Sequence, residues 1–210
     1  MEETKKLLAA KLLEIKAVKL SVDKPFTWAS GWKSPIYCDN RKVNSYPAVR
    51  SAVKTELAHA IITNFGEAET IAGVATGAIA QGALVADMLG LPFVYVRPKP
   101  KDHGMGNQIE GELQAGTKVA VVEDLISTGG SSLKAVEALR RAGAVVVGMV
   151  ASHTYGFPVA QAAFDAAGVK LVTLTDYDHI IEQAAATGYV SHSDMETLRK
   201  WRENPAGWRS

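Results

Sequence analysis

Residues 118–132 read "KVAVVEDLISTGGSS". Positions 119–122 form a continuous aliphatic run, the signature of a strand buried on both faces. The run ends on two adjacent carboxylates, Glu123 and Asp124. Hydroxyls and glycines follow, and helical periodicity resumes over 131–141. The same rhythm extends outward in both directions. Strands are predicted at 70–74 ("TIAGV"), 93–96 ("FVYV"), 144–150 ("AVVVGMV") and 170–174 ("KLVTL"), and helices at 78–89 and 158–167. Short aliphatic strands alternating with helices of about ten residues predict an α/β fold: an open, mostly parallel twisted sheet with helices on both faces.

The chain has 210 residues, a size that fits one domain. Lys and Arg number 23 against 22 Asp and Glu, a net charge of +1. No global field is therefore available to hold nucleic acid or an anionic membrane, and any bound anion must be held by local groups. The single cysteine, Cys38, excludes an internal disulfide framework and fits a reducing compartment. Lysines interrupt the apolar positions of the first twenty residues, unlike a signal peptide, and no stretch approaches 18 apolar residues. A cytoplasmic protein is expected.

Leu7, Leu8, Leu12, Ile15 and Val18 predict an amphipathic helix over residues 3–18. Residues 25–45, "PFTWASGWKSPIYCDNRKVNS", mix aromatic runs with Pro, Gly and Ser and predict short strands and turns. Pro47 opens a helix carrying Val49, Val53, Leu57, Ile61 and Phe65. The segment after Tyr189 is polar but holds Trp201 and Trp208, and its sequence leaves open whether these dock.

In an open parallel sheet, ligands bind beyond the carboxyl ends of the strands, and 118–123 is predicted to end at Glu123 and Asp124. Two buried carboxylates are costly, whereas at the sheet rim they can face a cation or a polyhydroxyl ligand. The stretch from Ser127 through Thr128, Gly129, Gly130, Ser131 and Ser132 offers hydroxyls, unobstructed backbone N–H groups and the start of a helix, the makings of a phosphate cradle. A plain strand-to-helix turn with serine capping would explain the glycines and serines, but not the acids. Neither a Walker A loop nor a GxGxxG fingerprint is present.

Two other segments carry chemistry. "VRPKPKDHGMGNQIEGE" (96–112) places Arg97, Lys99, Lys101 and His103 within seven residues, with prolines that extend the chain and glycines that follow. Such a loop can gather cations around a diphosphate and exclude water, and the alternative is an exposed basic loop without function. "AGVATGAIAQG" (72–82) follows the first core strand, where small residues let the backbone approach an anion or let a helix pack closely.

Together these segments resemble the type I phosphoribosyltransferases, and across most of residues 20–190 the orotate phosphoribosyltransferases among them. The resemblance implies transfer of ribose 5-phosphate from phosphoribosyl diphosphate to N1 of orotate, giving orotidine 5'-phosphate and diphosphate in de novo pyrimidine (UMP) synthesis. It implies that Glu123 and Asp124 hold the ribose hydroxyls and that 127–132 hold the 5-phosphate. The Ala75–Thr76–Gly77 turn would line the diphosphate. Residues 97–111 would be a mobile catalytic loop, with Arg97, Lys101 and His103 as its working groups, Lys99 assisting beside Pro98, and Asp124 as a further catalytic group. By the same resemblance, residues of about 20–45 form a small hood over the base. There Ser34, Pro35, Ile36 and Tyr37 would pack on orotate, Thr128 would contact it, and Arg41 would pair with its carboxylate or with Asp39. Magnesium is implied as cofactor, held mainly by the substrate near Glu123 and Asp124. A homodimer sharing the loop between subunits is implied as well.

Four features depart from the family pattern. The residue after Arg97, often lysine, is Pro98, and many relatives have "TAG" where this chain has "TG" followed by alanine. A lysine common two residues before Gly31 is Ala29 here. The arginine that reads the pyrimidine edge after the "VVVGMV" strand is replaced by "ASHTYGF", leaving His153 or Tyr155 as substitutes. Cys38 has no histidine arranged beside it in the sequence and is expected to pack. The rival readings are a phosphoribosyltransferase for another base, a regulator that retains the donor site, and an α/β scaffold without catalysis.

Overall fold

A computed structural model describes residues 2–28, 31–99 and 108–208. The chain opens with α1 (Glu2–Glu14) and β1 (Val18–Leu20), then the short strands β2 (Phe26–Thr27), β3 (Lys33–Ser34) and β4 (Ile36–Cys38), and a 3-10 helix, Asn40–Ser45. The helix α2 (Pro47–Asn64) leads into β5 (Thr70–Val74), α3 (Ile79–Leu89), β6 (Phe93–Val96) and β7 (Ile109–Glu110). There follow β8 (Lys118–Ile126), α4 (Gly130–Arg141), β9 (Val145–Thr154), α5 (Pro158–Ala166), β10 (Leu171–Asp176), α6 (Tyr177–Ala186) and α7 (His192–Glu203).

Six strands form the main sheet in the order β10-β9-β8-β5-β6-β7, parallel except for β7. Side chains alternate across it. Ala120, Val122 and Val150 join a core with α1, α2, α6 and α7, while Val119, Val121, Met149 and Ala151 join a second core with α4 and α5. From β5 the chain proceeds to β6 on one side, and later to β8 on the other. The strand order therefore reverses between β5 and β8, where a crevice opens beyond their carboxyl ends. The N-terminal segment adds two antiparallel pairs, β1 with β4 and β2 with β3. Among the described residues, no helix is long and apolar enough to cross a membrane.

Several boundaries differ from the sequence-based expectation. The first helix stops at Glu14, because Lys16 adopts a left-handed backbone (φ 54°) and turns the chain into β1. β8 does not end at Glu123 but runs through Asp124 and Leu125 to Ile126, with Leu125 and Ile126 paired to His153 and Thr154 of β9. Both strands thus continue past their aliphatic runs into polar residues. The polar segment after Tyr189 forms α7, started by a Ser191–Asp194 capping box, and its Trp201 is fully buried.

The N- and C-terminal parts are tied by charge. Asp176, the N-cap of α6, accepts from Lys5 Nζ of α1 at 2.9 Å and lies 2.6 Å from His179 Nδ1. Burial acts to raise its pKa, but hydrogen bonds from His179 and Lys5 outweigh it and hold the carboxyl at about 2, below the ordinary 3.8. For His179, burial acts downward and the bonds to Asp176 and Glu2 prevail, raising it above 6.5. A depressed carboxyl contributes stability that is complete above its unfolded pKa and lost as pH falls through the folded one; a raised imidazole contributes below its unfolded pKa and loses that as pH rises through the folded one. The cluster is therefore fully charged in mildly acid solution. Asp176→Asn is expected to flatten the fall in stability between pH 3.8 and about 2, measured as urea midpoints against pH.

Candidate active site

Three adjoining cavities occupy the crevice. The central one, about 300 Å³, is bounded on the β5 side by Ala75, Thr76 and Gly77 and on the β8 side by Glu123, Asp124, Ser127, Thr128, Gly129 and Ser131. Residues separated by some fifty positions thus face one space, because β5 and β8 are adjacent parallel strands, with Gly73 paired to Val122 just before Glu123 and the turn after Val74 reach the crevice.

Glu123 is buried (5% exposed), accepts a 2.8 Å hydrogen bond from Ser132 Oγ, and accepts one of 2.9 Å from the Asp124 backbone N–H. Burial and the neighbouring Asp124 charge push the Glu123 carboxyl well above the usual range. Burial also raises Asp124, against hydrogen bonds from its own surroundings and the charge of Arg41. Such a pair gains from a polyhydroxyl ligand or a cation brought to it.

Two glycines are required here. Gly129 has φ 81°, and a Cβ on it would come within 2.9 Å of the Phe164 ring, so only glycine can turn the chain into α4 at this point. A Cβ on Gly77 would lie 2.2 Å from Asp124 Oδ2; the Asp124 carboxylate rests directly against the Gly77 backbone. Beyond Gly129, the N-terminus of α4 directs its dipole toward the cavity.

The second cavity, about 380 Å³, is lined by Thr27, Trp28, Tyr37, Cys38 and Tyr155, and shares Leu125 and Ser127 with the first. Its walls are largely aromatic and face each other across the hood and the end of β9. The third, about 370 Å³, shares Val74, Ala75 and Ser131 with the first and adds Arg97, Lys99, Gly130 and Lys134. At its rim the strands β6 and β7 are joined, with the Arg97 N–H donating to Gln108 O (2.8 Å) and the Arg97 guanidinium 3.2 Å from Glu110 Oε1.

The structure distributes the residues singled out from the sequence unevenly. Thr76, Gly77, Glu123, Asp124, Ser127, Thr128, Gly129 and Ser131 meet in the central cavity, and Arg97, Lys99 and Gly130 line the third. Tyr37 faces the aromatic cavity, but Ser34, Pro35 and Ile36 are buried, the Ser34 hydroxyl bonding to Ile36 O. The end of β3 and the start of β4 turn these side chains into the core. Thr128 lines only the central cavity, whereas Ser127 lines both. Ser132 faces inward to Glu123 instead of lining a cavity. Arg41 is largely exposed and pairs with Asp39 at 2.7 Å. Lys101, His103 and Ala29 lie outside the described residues.

Of the two replacements considered for the missing arginine, Tyr155 lines the aromatic cavity and His153 does not. His153 is fully buried, burial lowers its pKa to about 4, and its Nε2 has no hydrogen-bond partner among the described residues. Its Nδ1 lies 3.6 Å from Cys38 Sγ, a histidine neighbour that the sequence did not reveal. Burial, with the charges of Asp124 and Asp39, holds the thiol well above its usual range, so the two groups are neutral and not a thiolate–imidazolium pair. The thiol donates instead to Asn40 Oδ1 (3.1 Å), and Asn40 Nδ2 donates to the backbone carbonyl of Asp124 (2.6 Å). Buried Asn40 thus ties the hood to the acidic strand. Sequence reading passed over it as part of an unstructured turn.

The close approach of Asp124 to Gly77 yields a direct test. Gly77→Ala must displace the carboxylate, and a misplacement of about 1 Å at such a site costs roughly 10²-fold. Binding of phosphoribosyl diphosphate, measured by calorimetry with magnesium, is expected to weaken strongly while the thermal midpoint changes little.

The phosphoribosyl transferase domain family matches residues 43–187. Orotate phosphoribosyltransferase of Porphyromonas gingivalis is 64% identical over 208 residues, 99% of either chain. That of Bacteroides fragilis is 62% identical over 210 residues, 100% of this chain and 99% of the relative. The crystal structure of orotate phosphoribosyltransferase from Aeropyrum pernix superposes with a TM-score of 0.76 at 30% identity, covering 88% of this chain and 99% of that one. A paired-acid strand end, a glycine-opened hydroxyl loop and a parallel sheet wound around them, together with these likenesses, place the chain in the phosphoribosyltransferase family, among the orotate phosphoribosyltransferases.

Proposed function

We propose that this chain transfers the ribose 5-phosphate group of 5-phospho-alpha-D-ribose 1-diphosphate to N1 of orotate, giving orotidine 5'-phosphate and diphosphate in de novo pyrimidine synthesis. The observation that carries the reading is the contact between two unlike cavities. A polar one holds acids and hydroxyls, and an aromatic one fits a planar base; they share Leu125 and Ser127, so that a sugar and a base would meet there.

In the reaction, the bond from C1 to the diphosphate oxygen breaks as N1 of orotate bonds to C1. Positive charge grows on the ribose and negative charge on the leaving group. Glu123 and Asp124 supply negative charge on the ribose side, and Ser127–Ser131 with the α4 N-terminus hold the 5-phosphate. Arg97 and Lys99, with Lys101 and His103 from the same loop, would surround the diphosphate. Tyr37, Trp28 and Tyr155 hold the base by stacking and exclude water.

Magnesium fits this donor set in one way only. The carboxylates of Glu123 and Asp124 are hard oxygen ligands, but among the described residues no group of three His, Cys, Asp or Glu side chains gathers to hold a metal. The remaining ligands would therefore come from the substrate and water. When bound, it neutralises charge on the diphosphate.

We also propose a cytoplasmic homodimer that works without nucleic acid or membrane, in which residues 97–111 complete the neighbouring subunit's site. Loss of orotate absorbance on adding donor and magnesium tests the activity, with uracil and hypoxanthine as competing acceptors. Turnover of orotate alone is expected, and rapid purine turnover without orotate turnover would overturn the reading. Asp124→Asn is expected to lower kcat by about 10²-fold. Mixing the impaired Lys101→Ala and Asp124→Asn subunits should raise activity well above that of either variant alone, since one site of each hybrid is then intact. No recovery in verified hybrids would place the loop in its own subunit's site.

A further inference from the structure

Trp28 and Tyr155 are two walls of the aromatic cavity, and neither is held by the cavity itself. Trp28 sits at the end of β2, in a hairpin whose paired strands are two residues each. Hairpins that short are marginal on their own. What fixes the indole is its Nε1–H bond to Ile36 O (3.0 Å) and a set of ring contacts. Tyr155 lies 5.1 Å from it, and Trp201 meets it edge-on at 5.5 Å and 80°. Trp201 also meets Tyr155 edge-on, at 5.9 Å and 84°.

Trp201 belongs to α7, far along the chain from the hood. It is fully buried, and its Nε1–H donates to the backbone carbonyl of Lys33 in β3, 168 residues away. One side chain therefore touches both aromatic walls and pins the second strand of the hairpin that carries one of them. Edge-to-face geometry of this kind is directional, so the indole sets the angle of Trp28 as well as filling space.

We infer that Trp201 is a positioning residue for the acceptor base: it orients Trp28 and Tyr155, which pack on each other as adjoining walls on one side of the aromatic cavity, while the donor cavity is independent of it. The inference rests on the orotate-transferring reading and adds to it a determinant of base affinity that lies outside the cavity and on the other end of the chain.

The experiment measures KM for orotate, KM for phosphoribosyl diphosphate and kcat in wild type, Trp201→Leu, Trp201→Phe, Trp28→Leu and the Trp28→Leu/Trp201→Leu double variant, with thermal midpoints recorded for each. Trp201→Leu is expected to raise the orotate KM about tenfold, within the range by which packed side chains couple to a site, and to leave the donor KM within about twofold. Trp201→Phe keeps a ring edge and should show a smaller rise. In the double variant the effect of Trp201→Leu on the orotate KM should be clearly smaller than in the wild-type background, since one of its two intermediaries is gone and only the contact with Tyr155 remains. Equal rises in both KM values, additive single effects, or an unchanged orotate KM beside a lowered midpoint would each reduce Trp201 to a core residue and overturn the inference. Should Trp201→Leu not fold, Trp201→Phe alone and in a double variant with Trp28→Leu is read by the same criteria. A wild type without orotate turnover sinks the underlying reading and the inference with it; a working wild type with any of the overturning results sinks the inference alone.

Discussion

Two neighbouring carboxylates lie within the hydrogen-bonded length of a central parallel strand, where burial opposes the charge that each must carry to be useful. Much of the surrounding structure answers that conflict. Ser132 and the Asp124 N–H satisfy Glu123, and Asn40 fixes the Asp124 carbonyl. Gly77 gives up a side chain so that the Asp124 carboxylate has somewhere to rest. Apart from a ligand, nothing described nearby supplies full compensation, so the acids store part of their desolvation cost for use in binding.

The sheet topology converts this local conflict into a site. Only where the strand order reverses do two loops diverge and leave a crevice, and β5 and β8 flank that place. The strand carrying the acids also supplies Leu125 and Ser127, which belong to both the polar and the aromatic cavity. The space beside Asp124 and the space beside Tyr37 thereby meet at a common boundary without a mobile linker.

Much of this was legible because parallel strands buried on both faces read as aliphatic runs, and β5, β6, β8 and β9 did so. What escaped reading has identifiable causes. The ends of β8 and β9 carry Glu123, Asp124 and His153 instead of further aliphatic residues, and such polar residues hide a continuing strand. The helix α6 carried its own signals, the Asp176 cap with Tyr177, Ile180, Ile181 and Ala184 at helical spacing, and α7 had its capping box with Met195, Leu198 and Trp201. Both could have been found. The pairing of Cys38 with His153, and of Asn40 with the Asp124 carbonyl, joins residues 115 and 84 positions apart, and no local pattern encodes such a meeting. The aromatic cavity was only half visible for the same reason: Tyr37 stood in a motif, Trp28 in the hood stretch and Tyr155 as one of two substitutes, but their meeting in one cavity comes from tertiary packing.

The bond that pins the hood's hairpin, from Trp201 to Lys33, reaches across almost the entire chain, as does the one that ties α1 to α6, from Lys5 to Asp176. During synthesis the sheet can assemble from β5 onward as each successive strand leaves the ribosome, since its pairings are between neighbours in sequence or nearly so. The first forty-five residues have no such early partner for their aromatic hairpin. The hairpin's contact with Trp201 can form only once α7 has been made, so the aromatic cavity takes its finished shape later than the sheet beside it.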